Sequence, residues 1–265
     1  MASLWLWYVL LGAGAGFLAG LLGIGGGLVQ VPLLVFLFGL QQVPPEHVLH
    51  LALGTAMASI LFTAASSVRA HHYHGAVNWT IVRRMAPGIA FGVAVAAVIA
   101  GRLQTRYLAM FFTVFVYFAA TQLILNLRPT ATRTLPGAGG MFAVGAVIGG
   151  VSSLVAAGGA LLSVPYMTWC NVRLHEAIGT AAAIGFPVAI AGTIGYIVNG
   201  WGEAGLPEWS LGYVYLPVLA LLVIASMATA PLGAKLAHAT STRKLRTLFA
   251  VLLYVLATRM LLTLI

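Results

Sequence analysis

Aspartate is absent from the 265 residues, and the whole chain carries four acidic and 13 basic side chains. With 6% of residues charged, against about a quarter in a water-soluble domain, no soluble surface can be built. Cysteine is almost missing as well. The single Cys170 excludes an intrachain disulfide and any cysteine metal cluster, and it leaves the redox compartment unread. No lysine or arginine precedes Arg69, so the basic region of a cleavable signal peptide is lacking and the first apolar segment is expected to stay in the mature protein. What is present is 61% hydrophobic, with a mean hydropathy of +1.03. That is the composition of an integral membrane protein. Long continuous apolar runs, rather than the apolar–polar alternation of a transmembrane barrel, make it all-helical. The net charge of +9 does not point to nucleic acid, because the arginines lie at the ends of apolar runs, where the positive-inside bias puts them.

Apolar runs occupy 5–22, 28–40, 48–68, 81–101, 107–127, 138–157, 160–170, 176–199, 211–234 and 244–264. Two are too short to cross: 28–40 and 160–170 reach only about 17–20 Å as helices, against about 30 Å of hydrocarbon. Each follows a glycine cluster, GIGGG at 23–27 and AAGGA at 156–160.

These two places are equivalent positions of an internal repeat. GLLGIGGGLVQVPLL (20–34) aligns with SLVAAGGALLSVPYM (153–167), matching Gly25 to Gly158, Gly26 to Gly159 and Pro32 to Pro165. Downstream, HLALGTAMA (50–58) aligns with HEAIGTAAA (175–183), matching His50 to His175, Gly54 to Gly179 and Thr55 to Thr180. Two blocks in the same order, each spanning polar residues, point to duplication rather than to chance similarity of apolar helices. The chain then divides into a first transmembrane repeat (1–127), a linker (128–137) and a second repeat (138–265).

Counting basic residues decides the relative orientation of the repeats. If each Gly-broken pair is a hairpin that enters and leaves on one side, three further spans remain per half and the halves are inverted. Arg69, Arg83, Arg84, Arg128, Arg133, Arg173, Lys235, Arg243, Lys244 and Arg246 then face the cytoplasm, and only Arg102 and Arg106 face out, ten against two. If each pair forms one discontinuous span, the halves are parallel and the count falls to seven against five. The inverted arrangement is favoured. It puts 69–84 and 235–246 inside, and 40–47, 200–210 and both termini outside. The first arm of each hairpin is long enough to cross unaided; two full crossings per pair would preserve the inversion.

Inverted repeats with helices broken at corresponding positions are the layout of secondary transporters with a midplane site. A broken helix exposes backbone N–H groups at the start of its second half, and its dipole puts about half a positive charge there, which favours an anion. Gly25, Gly26, Gly27, Gly158, Gly159 and Ala160 are therefore candidate substrate-binding residues. Gln30 and Ser163, at aligned positions in the first turns of the two half-helices, join them; back-bonding to the preceding turn is the alternative. Thr55 and Thr180 are further ligand candidates about seven residues into their helices, set against the ordinary satisfaction of a membrane threonine by its i−4 carbonyl. Gly12, Gly16 and Gly20, at spacing four, read as a packing seam.

His50 and His175 form a repeat-matched titratable pair and are the candidates for proton coupling, with an interfacial role as the alternative. Glu46, Glu176, Glu203 and Glu208 fall in connectors, so a relay through buried carboxylates is disfavoured. His71, His72 and His74 lie in a basic loop without acidic or cysteine neighbours, and no metal site is assigned. Arg259 is read as snorkelling to the interface. No nucleophile–base set, P-loop or dinucleotide fingerprint is present, so neither enzymatic chemistry nor a cofactor is expected.

GLLGIGGGLVQVPLL with HLALGTAMAS, echoed by VAAGGALLSVP with HEAIGTAAA, resembles the TauE/SafE family of bacterial sulfite and organosulfonate exporters over nearly the whole chain. The second copy departs by carrying Ala160 where the first has Gly27, which suggests unequal half-sites. The resemblance implies an anion permease of the bacterial inner membrane, with sulfite, sulfoacetate or a related sulfur oxyanion as substrate. The sequence thus leads to a polytopic transporter exporting a small anion by alternating access, with an ungated or weakly gated anion channel as the alternative.

Overall fold

The structure is a computed structural model and describes residues 2–22, 26–125, 131–239 and 242–264. The apolar runs become ten helices among the described residues: α1 (Ala2–Leu22), α2 (Gly27–Leu40), α3 (Pro45–Tyr73), α4 (Trp79–Arg102), α5 (Thr105–Leu125), α6 (Ala138–Leu154), α7 (Ala160–Trp169), α8 (Leu174–Asn199), α9 (Leu216–Ala239) and α10 (Thr242–Leu264). Six of them, α3, α4, α5, α8, α9 and α10, are long and apolar enough to cross a membrane. These are the three further spans expected in each half.

The glycine-broken pairs are hairpins. Near the start of α1, the Tyr8 ring lies 6.1 Å from Phe38, near the end of α2. Gly26, at the turn, sits beside Ala15. In the second pair, Tyr166 near the end of α7 reaches Met141 near the start of α6, Oη to Sδ 4.0 Å. Each pair therefore returns to the side it came from.

Small residues set the seams between helices. A Cβ on Gly12 or Gly16 would meet the α9 backbone at Leu222 or Ser226, at 2.9 and 2.4 Å, so α1 and α9 run parallel at backbone contact. Gly145 and Gly149, their repeat equivalents in α6, meet Met85 and Ile89 of α4 in the same way. Antiparallel packing joins α3 to α8, with Gly54 near Tyr196 and Met57 against Gly192. It also joins α5 to α10, where Tyr117 bonds Thr258 and Thr121 bonds Tyr254. All four seams pair one helix from residues 1–125 with one from residues 138–264.

Four boundaries differ from the sequence reading. The run 211–234 does not begin as helix: Ser210–Leu211 and Val214–Tyr215 pair as a short antiparallel hairpin, turned at Gly212 with φ +54°, and α9 starts only at Leu216. Helix α3 continues past its apolar run, so His71 and His72 form its last turn rather than a loop. Glu46 and Glu176 lie in the first turns of α3 and α8 rather than in connectors, where the helix dipole favours a carboxylate.

Candidate functional site

The two helix breaks meet each other in the middle of the bundle. A Cβ on Gly27 would lie 1.9 Å from the carbonyl oxygen of Ala156, in the second break, and 2.9 Å from Ile60 of α3. Gly158 faces the same Ile60 at 3.6 Å. Only a residue without Cβ fits at 27, because the neighbour is backbone and has no rotamer to change. This is also why the second copy tolerates Ala160: the asymmetry follows from which break supplies the carbonyl.

The two starts are built differently. Gly26, the residue before α2, has φ −76° and needs no glycine for its own conformation. Gly159, the residue before α7, has φ +79°, a left-handed backbone that turns the chain from the 155–158 segment into the helix. Gly25 lies outside the described residues.

Both first-turn polar residues are buried. Gln30 accepts a hydrogen bond from Ser59 Oγ (3.0 Å) with its Oε1, and its Nε2 lies back against Gly26. Ser163 is fully buried, and its Oγ has no hydrogen-bond partner. It does not back-bond to the preceding turn. A buried hydroxyl left unpaired costs about 1–3 kcal/mol. Arg69, Arg83, Arg84, Arg102, Arg106, Arg133 and Arg173 are all exposed. Arg259 is exposed as well. The polar groups at the breaks are neutral donors: backbone amides, the Gln30 amide and the Ser163 hydroxyl.

Thr55 and Thr180 lie about one turn before Ile60 and Ile184, the residues that face Gly27 and Gly159, and each is fully buried with a partner. Thr55 Oγ1 accepts the backbone N–H of Tyr215 (3.0 Å), and Thr180 Oγ1 accepts that of Asn78 (2.9 Å). Neither uses the i−4 carbonyl. Thr55 is the eleventh residue of α3, deeper than the seventh position that Thr180 holds in α8.

The histidine pair is unequal. His50 is 6% exposed; its Nε2 lies 3.1 Å from the carbonyl oxygen of Ala100, and its Nδ1 is buried without a partner. The Tyr213 ring lies over it at 5.2 Å. His175 is exposed. Tyr213 Oη also lies 3.2 Å from Nδ1 of His47, and burial, followed by the nearby Glu203 and Glu46 carboxylates, pushes this phenol up to about 12. It is neutral at any physiological pH. His72 accepts from Trp79 Nε1 (3.2 Å), and among the described residues no group of histidine, cysteine or carboxylate side chains has metal-site geometry.

The sequence profile described as "Sulfite exporter TauE/SafE" matches residues 8–260. A probable membrane transporter protein of Haemophilus influenzae is 38% identical over 254 residues, covering 95% of this chain and 96% of its own. A probable membrane transporter protein of Methanocaldococcus jannaschii is 23% identical over 261 residues, covering 96% of this chain and 94% of its own. A third, YdhB of Bacillus subtilis, is 25% identical over 83% of this chain and 85% of its own. No solved structure matches the chain.

Proposed function

The chain belongs to the TauE/SafE sulfite exporter family of membrane transporters, and from that premise we propose that it is a secondary transporter carrying a small sulfur oxyanion, sulfite or an organosulfonate, out of the cell across the bacterial inner membrane. The anion is held where the two breaks meet, by the amides at the starts of α2 and α7 together with Gln30 and Ser163. No covalent step is involved. The two halves are inverted copies that rock against each other, and the site opens to one face at a time.

The observation that carries this reading is Ser163, a fully buried hydroxyl without a partner in the first turn of a half-helix. Inversion is supported by helix direction: the repeat-equivalent helices α3 and α8 run antiparallel, as do α5 and α10, whereas parallel repeats would align each pair. The basic-residue count then puts the 74–78 turn in the cytoplasm and 200–215 outside. Thr55, Thr180 and His50 support the site. His175, being exposed, is left to the aqueous surface.

Sulfite binding to purified Gly26→Ala and Gly159→Ala proteins tests the site. Neither methyl meets backbone closer than 3.4 Å, so both variants are expected to fold. Alanine at 26 presses on the Gln30 amide at 3.2 Å, while alanine at 159 strains the left-handed residue that aims α7. Losing one charge-assisted hydrogen bond costs about 1.5–3 kcal/mol, a drop of roughly 10- to 150-fold in affinity. Parent affinity in both monodisperse variants would refute the site.

A further inference from the structure

The Gly-Thr pairs of the two repeats grip the chain at opposite ends of the α3–α8 pair, and they do so in the same way. In the first, the Tyr213 carbonyl oxygen packs on Gly54, where a Cβ would lie 2.1 Å away, and two residues later the Tyr215 N–H bonds Thr55 Oγ1. In the second, the Ala76 carbonyl oxygen packs on Gly179, where a Cβ would lie 2.4 Å away, and two residues later the Asn78 N–H bonds Thr180 Oγ1. The glycine admits the carbonyl and the threonine receives the amide. Each grip has a side-chain anchor about one turn earlier on the gripping helix: His50 under the Tyr213 ring, and Glu176 accepting from Asn78 Nδ2 at 2.7 Å.

The gripped segments are not from the same half as the gripping helix. Residues 74–78 join α3 to α4, yet they are held by α8; residues 200–215 join α8 to α9, yet they are held by α3. Gly54 packs beside Tyr196, and Thr180 precedes Tyr196 by 16 residues on α8, so the two grips lie about 24 Å apart along the helix. That is most of the roughly 30 Å of a hydrocarbon layer.

We propose that these are the two gates of the transporter: the Thr55–Tyr215 latch closes the face carrying 200–215, the Thr180–Asn78 latch closes the face carrying 74–78, and only one is released at a time. The inference rests on the alternating-access reading above and assigns its regulation. Both latches are closed in this structure. Releasing a latch frees one half's connector from the other half's helix, which is the relative motion that exposes a site between them.

Labelling of a buried cysteine from each side tests this. The parent protein carries Cys170→Ser and Ser163→Cys, and a membrane-impermeant maleimide is applied to right-side-out and to inverted vesicles without sulfite. Thr55→Val should raise labelling about tenfold from the face carrying 200–215 alone, and Thr180→Val from the face carrying 74–78 alone. Thr55→Ser and Thr180→Ser keep the acceptor and should label at the parent rate. Gly54→Ala and Gly179→Ala displace the carbonyl instead and should reproduce the two sided increases, which covers a valine variant that does not fold. Increases from one shared face, from both faces at once, or from neither would overturn the gates. Because no sulfite is present, sided labelling can hold while sulfite binding fails, and sulfite binding without sidedness sinks the latches alone.

Discussion

At the scale of single residues, what a glycine faces matters more than how many glycines stand together. Gly27 faces the Ala156 carbonyl at a distance no Cβ can occupy, whereas Gly14 and Gly39 have nothing within 4 Å. Gly27→Ala is therefore expected to destabilise by about 1–3 kcal/mol through overpacking. Gly14→Ala should raise stability by about 0.5–1 kcal/mol, because it stiffens a helix interior at no steric cost, and Gly39→Ala, in the last turn of α2, by less. Thermal unfolding in one detergent reads the sign. A Gly27→Ala protein as stable as the parent would mean the two breaks are not in backbone contact. From sequence, Gly27 against Ala160 looked like a difference between half-sites. The contact that explains it lies 129 residues away at Ala156, and no local pattern could announce it.

At the scale of elements, the start of α4 combines two roles in Asn78. Its Oδ1 accepts from the N–H groups of Thr80 and Ile81, capping the helix, and its Nδ2 donates to Glu176 of α8. Asn78→Ala should cost about 0.5–2 kcal/mol for the cap, with a further loss of the hydrogen bond to Glu176, which keeps its ion pair with Arg173. Asn78→Asp keeps the cap but sets a second carboxylate against Glu176, so it should not restore the parent's thermal unfolding temperature. A fully stable Asn78→Asp protein would remove Glu176 from the account. The helices themselves were legible, because about 20 apolar residues between polar ends leave few options in a bilayer. The hairpin at 210–215 was not. Its residues extend an apolar run and read as helix, and they become strand because Tyr213 and Tyr215 pair with Tyr196 and Thr55. The end of α3 was missed for the opposite reason: His71 and His72 are too polar to look membrane-embedded, but helix does not stop where hydrocarbon does. Likewise the GTA motifs signalled a matched role, while their partners, 160 and 102 residues away, lay beyond any pattern in the chain.

At the scale of the whole molecule, the distribution of charge predicts which way the bundle sits. Single cysteines at His74 and Glu203, in a Cys170→Ser background, should react with an impermeant reagent from opposite sides, His74 from the cytoplasm. Reaction of both from the same side would sink the inverted repeat. The six long apolar helices and the two short ones after the glycine clusters were readable from sequence because hydropathy along the chain is a local quantity. How the halves interlock was not readable, since every seam is long-range.

That interlocking constrains the order in which the protein can be made. Helix α1 leaves the ribosome with its glycine face bare, and its partner α9 follows about 200 residues later; α4 waits similarly for α6, α3 for α8 and α5 for α10. Until then the first half holds polar backbone and small-residue grooves against lipid, which offers them no hydrogen bonds. The nascent first half is therefore an unfinished surface rather than a folded domain, and its stability arrives late and all together when α6 to α10 insert. A substitution where α9 meets α1, or α10 meets α5, thus acts on residues made long before it.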